Sequence, residues 1–455
     1  MKELTFYQIS FKASIQEAMT AIGINESGFI ICIDNNEKVV GLITDGDIRR
    51  FLIKESNTLL KIESFMNTDF VYVQADASKE QVLKLLDKRI KVIPVLDAKN
   101  KLVDVYSKNR MPMRTEGNVF FRSRAPVRVT FGGGGSDLTS YFTEFDGAVI
   151  NASISIYSHA TLQPRNDKNI NISSLDLGDT LHADCIEDLD SYKGNFELIL
   201  SIIRVINPNI GFDLYIHSDF PMSSGLGGSA TIAVAIIGCF NQMRIDPWDN
   251  YDIAELAFQA ERFQMGLPGG WQDQYASVVG GFNFMEFTND RNTINSLRIP
   301  RSIKLELEES LILCYTGVTH DSGEIHRDQG QKLSDEDVQN FLKQSVELTW
   351  NTRDSLLRGN LLKFGKNLHS SWMLKRNFGN KITNKSLDNI YNLAIENGAI
   401  GGKLLGAGGG GYFLFYTTPE TKFSLIESLQ KHGLEIKAFN FDDHGLESWK
   451  VRDKN

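Results

Sequence analysis

The sequence predicts an α+β protein of two lobes, preceded by a tandem α/β repeat. Three observations lead there. Residues 1 to about 110 run twice through helix, short strand, Asp turn and strand. From Phe120 onward, three glycine-rich loops each abut a strand or a helix. The rest of that region alternates helical periodicity with apolar strand patterns. At 455 residues the chain exceeds one hydrophobic core, so two or three domains are expected. The divisions expected are 1–112 for the repeat, 113–119 for a linker, 120–300 for the first lobe and 301–455 for the second.

The first copy of the repeat is FKASIQEAMTAIGINESGFIICIDNNEKVVGLITDGDIRR, and the second is QADASKEQVLKLLDKRIKVIPVLDAKNKLVDVYSKNRM. Asp34 begins the turn DNNEK and Asp97 begins DAKNK. Asp, Asn and Lys between β-branched runs make hairpin turns. Thr44, Asp45, Gly46 and Asp47 then close a strand and open the helix IRRFLIKE, where Thr and Asp are good caps. The repeat also resembles the CBS domain, which occurs in pairs, through GLITDGD. That resemblance implies that Thr44 contacts a nucleotide phosphate and Asp47 the ribose hydroxyls of an adenine nucleotide. Capping and nucleotide binding both stand at this point. In the second copy Ser107 and Arg110 occupy the matching positions, so at most one competent nucleotide site is expected. CBS pairs often dimerise, which makes a homodimer the expected state. MPMRTEGNV then has no period and reads as linker.

The first glycine loop lies in RSRAPVRVTFGGGGSDLTSYF, residues 122–142. RVTF reads as a strand with Arg128 on one face and Val127 and Val129 on the other. Gly132 to Gly135 permit a tight turn with exposed backbone. Ser136 and Asp137 either cap the next helix or, with Gly134, face a ligand such as a sugar ring. The second loop lies in SDFPMSSGLGGSATIAVAI. Helix-opening amides lack partners and carry partial positive charge, which suits phosphate. The cradle is read as Ser223, Ser224, Gly225, Leu226, Gly227, Gly228, Ser229 and Ala230, with Ser229 placed for a magnesium ion. The segment is not GxxxxGK[ST], because no Lys stands beside the Ser. The third loop, GGKLLGAGGGGYFLFY at 401–416, has Lys403 as its one charge. It reads as a packing loop that brings backbone, including Gly409 and Gly410, toward a substrate or the second loop. Between the second and third loops, AERFQMGLPGGWQDQYASVVGG carries Glu261 on a helix and Asp273 at the start of another. By itself, a carboxylate there can serve the helix dipole alone.

The order of these segments resembles the GHMP kinase superfamily, over the stretch from Phe120 to the C-terminus. The fold expected is therefore a two-lobed GHMP kinase preceded by a tandem CBS α/β domain. The resemblance implies ATP held by the loop Ser223–Ala230, Mg²⁺ held by Ser229 and Glu261, Asp273 as catalytic carboxylate, Arg128 beside it, and Asp137 on sugar hydroxyls. RAPVRVTFGGGGSDLTSYF, INASISIY, YTGVTHDSGEI, GGWQDQYA and GAIGGKLLGAGGGGYF look like the D-glycero-D-manno-heptose 7-phosphate kinases. These phosphorylate the anomeric hydroxyl of a heptose phosphate on the way to nucleotide-activated heptose for surface polysaccharide. Fucokinase-type enzymes share much of the pattern, and a catalytically inactive nucleotide sensor is the alternative from another class. Retention of Arg128, Ser229, Glu261 and Asp273 favours the enzyme. Three departures stand out: Gly228 where the family's second motif has Ser, Trp271 where the branch often carries a basic residue, and His320 where it tends to carry Arg. If those basic residues serve the sugar phosphate, an unphosphorylated deoxysugar or heptose becomes the substrate. Lys375 and Arg376 in WMLKRNFGNK are candidates for a substrate phosphate, but a solvated helix end is the favoured reading.

The remaining features set the context. A net charge of -9 with scattered basic residues argues against nucleic acid. The four cysteines are far apart and fit buried thiols in a reducing compartment. No signal-peptide core and no apolar run of membrane-spanning length appears, so a cytoplasmic protein with no membrane partner is expected. In the second lobe, Ser334 before DED reads as an N-cap, Gly433 ends a helix, and LEIKAFNFDDHG reads as a strand.

Overall fold

The computed structural model describes residues 4–88, 90–107, 118–192, 194–318 and 322–452. It divides into two compact units, Met1–Glu116 and Gly117–Asn455. Arg110, His320 and residues 113–117 of the expected linker lie outside the described residues.

The first unit holds two three-stranded sheets of the same topology. In one, Gln8–Ser10 pairs parallel with Phe29–Ile33, which pairs antiparallel with Val39–Thr44. In the other, Val73–Gln74, Val92–Leu96 and Leu102–Ser107 repeat that arrangement. The weak sequence repeat is therefore a structural one. The DNNEK and DAKNK turns each fold around the Asp side chain, with Asp34 Oδ1 accepting from Asn36 and Lys38 amides and Asp97 Oδ1 from Lys99 and Lys101 amides. Thr44 caps the helix Asp45–Lys54 in a complete capping box with Asp47. The Thr44 hydroxyl donates to Asp47 Oδ2 at 2.7 Å, and Arg50 engages the other carboxylate oxygen.

The second unit is built on an eight-stranded sheet and a four-stranded sheet. The long strand Gly147–Pro164 is the spine of the larger one. Val119–Gly132 runs antiparallel along it, and Phe212–Ser218 and Phe282–Phe287 share its other edge. The strand Glu447–Arg452 pairs with Val119–Gly132, so the end of the chain belongs to this sheet and not to a lobe beginning at 301. The smaller sheet is antiparallel in the order Ala399–Leu404, Tyr412–Thr417, Leu311–Tyr315, Glu435–Lys437.

Helix Gly228–Asn241 packs on both central strands of the larger sheet. Its Gly and Ala residues let it sink until ten of its residues are buried. A Cβ on Gly238 would come within 2.8 Å of Leu446. Apolar burial of this kind contributes about 25 cal/mol per Å². Two local expectations change. Helix Glu336–Leu357 is capped by Asp335, whose carboxylate accepts from the Asp337 amide at 2.9 Å, and not by Ser334. The strand read across LEIKAFNFDDHG stops at Lys437, and Asp442 instead gathers the His444 and Gly445 amides into a turn. Gly433 follows the helix Pro419–Lys431 at φ 78°, as a helix-ending glycine should.

Candidate active site

A cavity of about 810 Å³ opens in the second unit where the glycine loops converge. The loop after Pro221 forms one wall. Ser223, Gly225 and Gly227 take left-handed backbone angles, with φ of 57°, 76° and 82°. Gly227 is the N-cap of helix Gly228–Asn241, and no side chain caps that end. The first amides of the helix thus open on the cavity with no side-chain cap, an arrangement that suits an anion. Ser224 is buried, and its hydroxyl has no hydrogen-bond partner among the described residues. Ser223, Ser224, Gly225, Gly227, Gly228 and Ser229 line the cavity. Leu226 and Ala230 do not: both side chains are buried, Leu226 within a hydrophobic cluster, so they support the cradle from behind. Gly228 has a packing reason. A Cβ there would lie 2.5 Å from the ring of Phe220, so that ring takes the room a serine would need.

Arg128 crosses from the strand Val119–Gly132 to this wall. Its Nε donates to Asp273 Oδ1 at 2.7 Å and its Nη1 to the Gly225 carbonyl at 2.7 Å. Asp273 stands in the first turn of helix Gln272–Val279, against Gly227. The Arg128 side chain is 5% exposed and that of Asp273 is 22%, and both line the cavity, the carboxylate the more openly.

Glu261 lies on a π-helical turn, Ala260–Gln264, continuing helix Asn250–Gln259. Such turns recur at functional sites. It is buried, and its carboxylate accepts from the Ser229 hydroxyl and from Gln274 Nε2. Both partners are neutral. A buried carboxylate without a cation is costly, and a hard divalent ion is the kind of group that relieves it.

Asp137 is also buried at the cavity wall. It accepts from the Gly135 amide at 3.0 Å, the Gln272 amide at 3.3 Å and Gln272 Nε2 at 3.1 Å. Burial, and then the charge of Asp273, push its carboxyl above the usual range. Gly134 lines the cavity, but Ser136 does not. The Ser136 hydroxyl donates to the Gly133 and Ala148 carbonyls and accepts from the Ala148 amide, which uses it fully inside the fold. The expectation that Ser136 meets substrate is corrected accordingly.

The third loop packs against the second as its sequence suggests, but the expectation for Gly409 and Gly410 changes. Gly406 and Ala407 line the cavity, whereas Gly409 and Gly410 do not. The Gly409 amide is committed to the Ile382 carbonyl at 2.8 Å. Gly411, at φ 90°, is needed because any Cβ there would collide with the Ser224 carbonyl. This loop therefore braces the phosphate loop backbone to backbone.

Several cavity groups were missed or misread in the sequence. Lys375 is not a solvated helix end: it is 6% exposed, lines the cavity and donates to the Leu404 and Gly406 carbonyls. Arg376 pairs instead with Asp388. Lys403 is 2% exposed and also lines the cavity. Arg262 points in from the π-turn and donates to the carbonyls of Leu267 and Gly270. His326, held neutral by burial with its pKa down at about 4, pairs with Gln329. The lone charge in the third loop was the one available signal for Lys403. Trp271 does not line the cavity: its indole N–H donates to the Thr139 hydroxyl, and its ring stacks on Phe258.

An uncapped helix end, a buried carboxylate beside a hydroxyl, and an Arg-held Asp are the parts of a small-molecule phosphotransferase. Residues 197–281 match the GHMP kinases N terminal domain, 352–434 the GHMP kinases C terminal domain, and 6–54 and 62–110 the CBS domain. A D-glycero-alpha-D-manno-heptose 7-phosphate kinase of Campylobacter jejuni is 36% identical over 336 residues, covering 72% of this chain and 99% of that protein. The bifunctional fucokinase/GDP-fucose pyrophosphorylase of Arabidopsis thaliana is 27% identical, covering 70% of this chain and 32% of its own length. The crystal structure of a D-glycero-D-manno-heptose 1-phosphate kinase from Bacteriodes thetaiotaomicron superposes with a TM-score of 0.61 at 28% identity, over 73% of this chain and all of that one. The chain belongs to the GHMP kinases and is a sugar kinase carrying a CBS domain pair.

Proposed function

We propose that this enzyme transfers the γ-phosphoryl group of ATP to the anomeric hydroxyl of a heptose 7-phosphate-like sugar, in the synthesis of nucleotide-activated sugar for surface polysaccharide. The observation that carries the reading is Asp273, held by Arg128 against the phosphate loop and open to the cavity. The loop Ser223–Ser229 binds the phosphates of ATP through its amides. Asp273 accepts the proton of the attacking hydroxyl, the sugar oxygen bonds to the γ-phosphorus, and the bond to the bridging oxygen breaks to release ADP. Arg128 holds Asp273 in place and lends positive charge beside the transferring group. Ser229 and Glu261 would hold Mg²⁺, which neutralises phosphate charge. A site of two protein ligands suits Mg²⁺, which keeps its remaining positions for water and phosphate. Asp137 orients sugar hydroxyls.

The test is a kinase screen with ATP over heptose 7-phosphates, fucose, mannose and related sugars, with the phosphorylated carbon located by NMR. Phosphorylation at the anomeric carbon of a heptose 7-phosphate is expected. Exclusive use of fucose would replace the heptose reading with the fucokinase one.

For the first unit we propose an adenine-nucleotide site at Thr44 and Asp47, cytoplasmic function and a homodimer. The capping pair has a structural duty of its own, so Thr44→Ala is expected to lose nucleotide binding and about 1 kcal/mol of helix stabilisation together. Calorimetry of the full chain with AMP, ADP and ATP, with and without Thr44→Ala, checks this, since the heat of the kinase site is common to both. Identical heats before and after Thr44→Ala would leave only the cap.

A further inference from the structure

We propose that Lys403 and Lys375 form the subsite for a phosphate group already present on the acceptor sugar. The inference rests on the kinase reading above and assigns the groups that select a phosphorylated acceptor.

Lys403 comes from the strand Ala399–Leu404 and Lys375 from the last residue of the helix Leu361–Lys375. Both are more than nine-tenths buried, and both line the cavity. Lys403 has no hydrogen bond or ion pair with any described residue. Lys375 spends two of its three donors on the carbonyls of Leu404 and Gly406. Among the described residues neither ammonium has a carboxylate ion-pair partner. The acidic group that acts on both is Asp137, already engaged by Gly135 and Gln272. Two buried ammonium groups lining one cavity are costly unless an anion joins them. Burial first, and then the charge of Arg128, bring Lys375 down to about 7. Burial, and then the charges of Lys375 and Arg128, take Lys403 well below its ordinary value. An arriving phosphate dianion reverses both effects and draws a proton in with it.

The nucleotide is already served elsewhere. The uncapped helix end and the Ser229–Glu261 pair stand at the phosphate loop. Asp137, assigned above to the sugar hydroxyls, is the acidic group that acts on both lysines, which puts them within reach of the acceptor. Trp271 supplies no cation, so the phosphate of a sugar phosphate needs one from another element. A phosphomonoester between Lys403 and Lys375 fills that need.

The experiment uses the full chain, ATP, and one heptose with and without its 7-phosphate. Lys403→Met is expected to raise KM for the phosphorylated sugar roughly 10- to 100-fold, the worth of a charge-assisted hydrogen bond or two. KM for ATP and for the free sugar should stay near the unmodified values, so the preference for the phosphorylated sugar collapses. Lys375→Met should act in the same direction. Calorimetry of the unmodified enzyme with the sugar phosphate, in buffers of different ionisation enthalpy, should show net proton uptake, and it needs no variant to fold. A preference that survives both substitutions in variants of normal melting temperature would overturn the subsite alone. So would a rise in KM for ATP in step with that for sugar, or the absence of proton uptake. An unmodified enzyme that refuses every sugar phosphate but uses a free sugar would overturn the substrate reading, and the subsite with it.

Discussion

Asp273→Ala is expected to cut turnover by about 10²- to 10⁴-fold, the usual worth of a positioned general base, while ATP binding and the fold persist. The carboxylate is 22% exposed and sits at the cavity edge, so its removal opens no core. Arg128 keeps its second bond, to the Gly225 carbonyl, and the phosphate loop keeps its clamp. Asp137 cannot take over, because three donors from Gly135 and Gln272 already fix its carboxylate. Asp273→Asn, which preserves shape, should lose nearly as much. Steady-state turnover, paired with nucleotide-induced shifts in melting temperature, separates chemistry from binding. Turnover close to that of the unmodified enzyme would remove Asp273 from its assigned role.

Much of this site could be read in the sequence because its constraints are local. A loop that must take left-handed angles and pass close to other backbone writes itself in glycine, and Gly225, Gly227 and Gly411 are such positions. Asp34 and Asp97 likewise fold the turns that contain them. What escaped depends on distant contacts. Lys375 ends a helix and looks solvated until the carbonyls of Leu404 and Gly406, far along the chain, close over it. Ser136 looks free beside a glycine loop until the strand at Ala148 uses its hydroxyl. Gly409 shares the motif of Gly406 and Ala407 but commits its amide to the Ile382 carbonyl. The strand Glu447–Arg452 gives no local sign that it returns to the eight-stranded sheet. Where a backbone angle carries the constraint, one chain suffices. Where a partner's position carries it, only the fold reveals it.

Glu261→Gln should separate activity from stability more sharply than any other single change. Glu261 is buried with two neutral partners, the Ser229 hydroxyl and the Gln274 amide. In the metal-free protein this is an uncompensated buried charge, and neutralising it removes a desolvation cost. The melting temperature of Glu261→Gln without metal should therefore hold or rise. Activity should move the opposite way. The metal's stabilisation of charge in the transition state is worth several kcal/mol, so turnover at ordinary Mg²⁺ should fall by about 10²-fold or more. Raising Mg²⁺ should recover part of it, since Ser229 and the nucleotide phosphates still offer oxygen ligands. The melting-temperature gain that Mg²⁺ with ATP gives the unmodified enzyme should shrink in the variant, a readout independent of turnover. A purely structural Glu261 predicts another pattern, in which stability and activity fall together and the Mg²⁺ dependence is unchanged. The sign of the stability change alone therefore distinguishes a carboxylate kept for a cation from one kept for the fold.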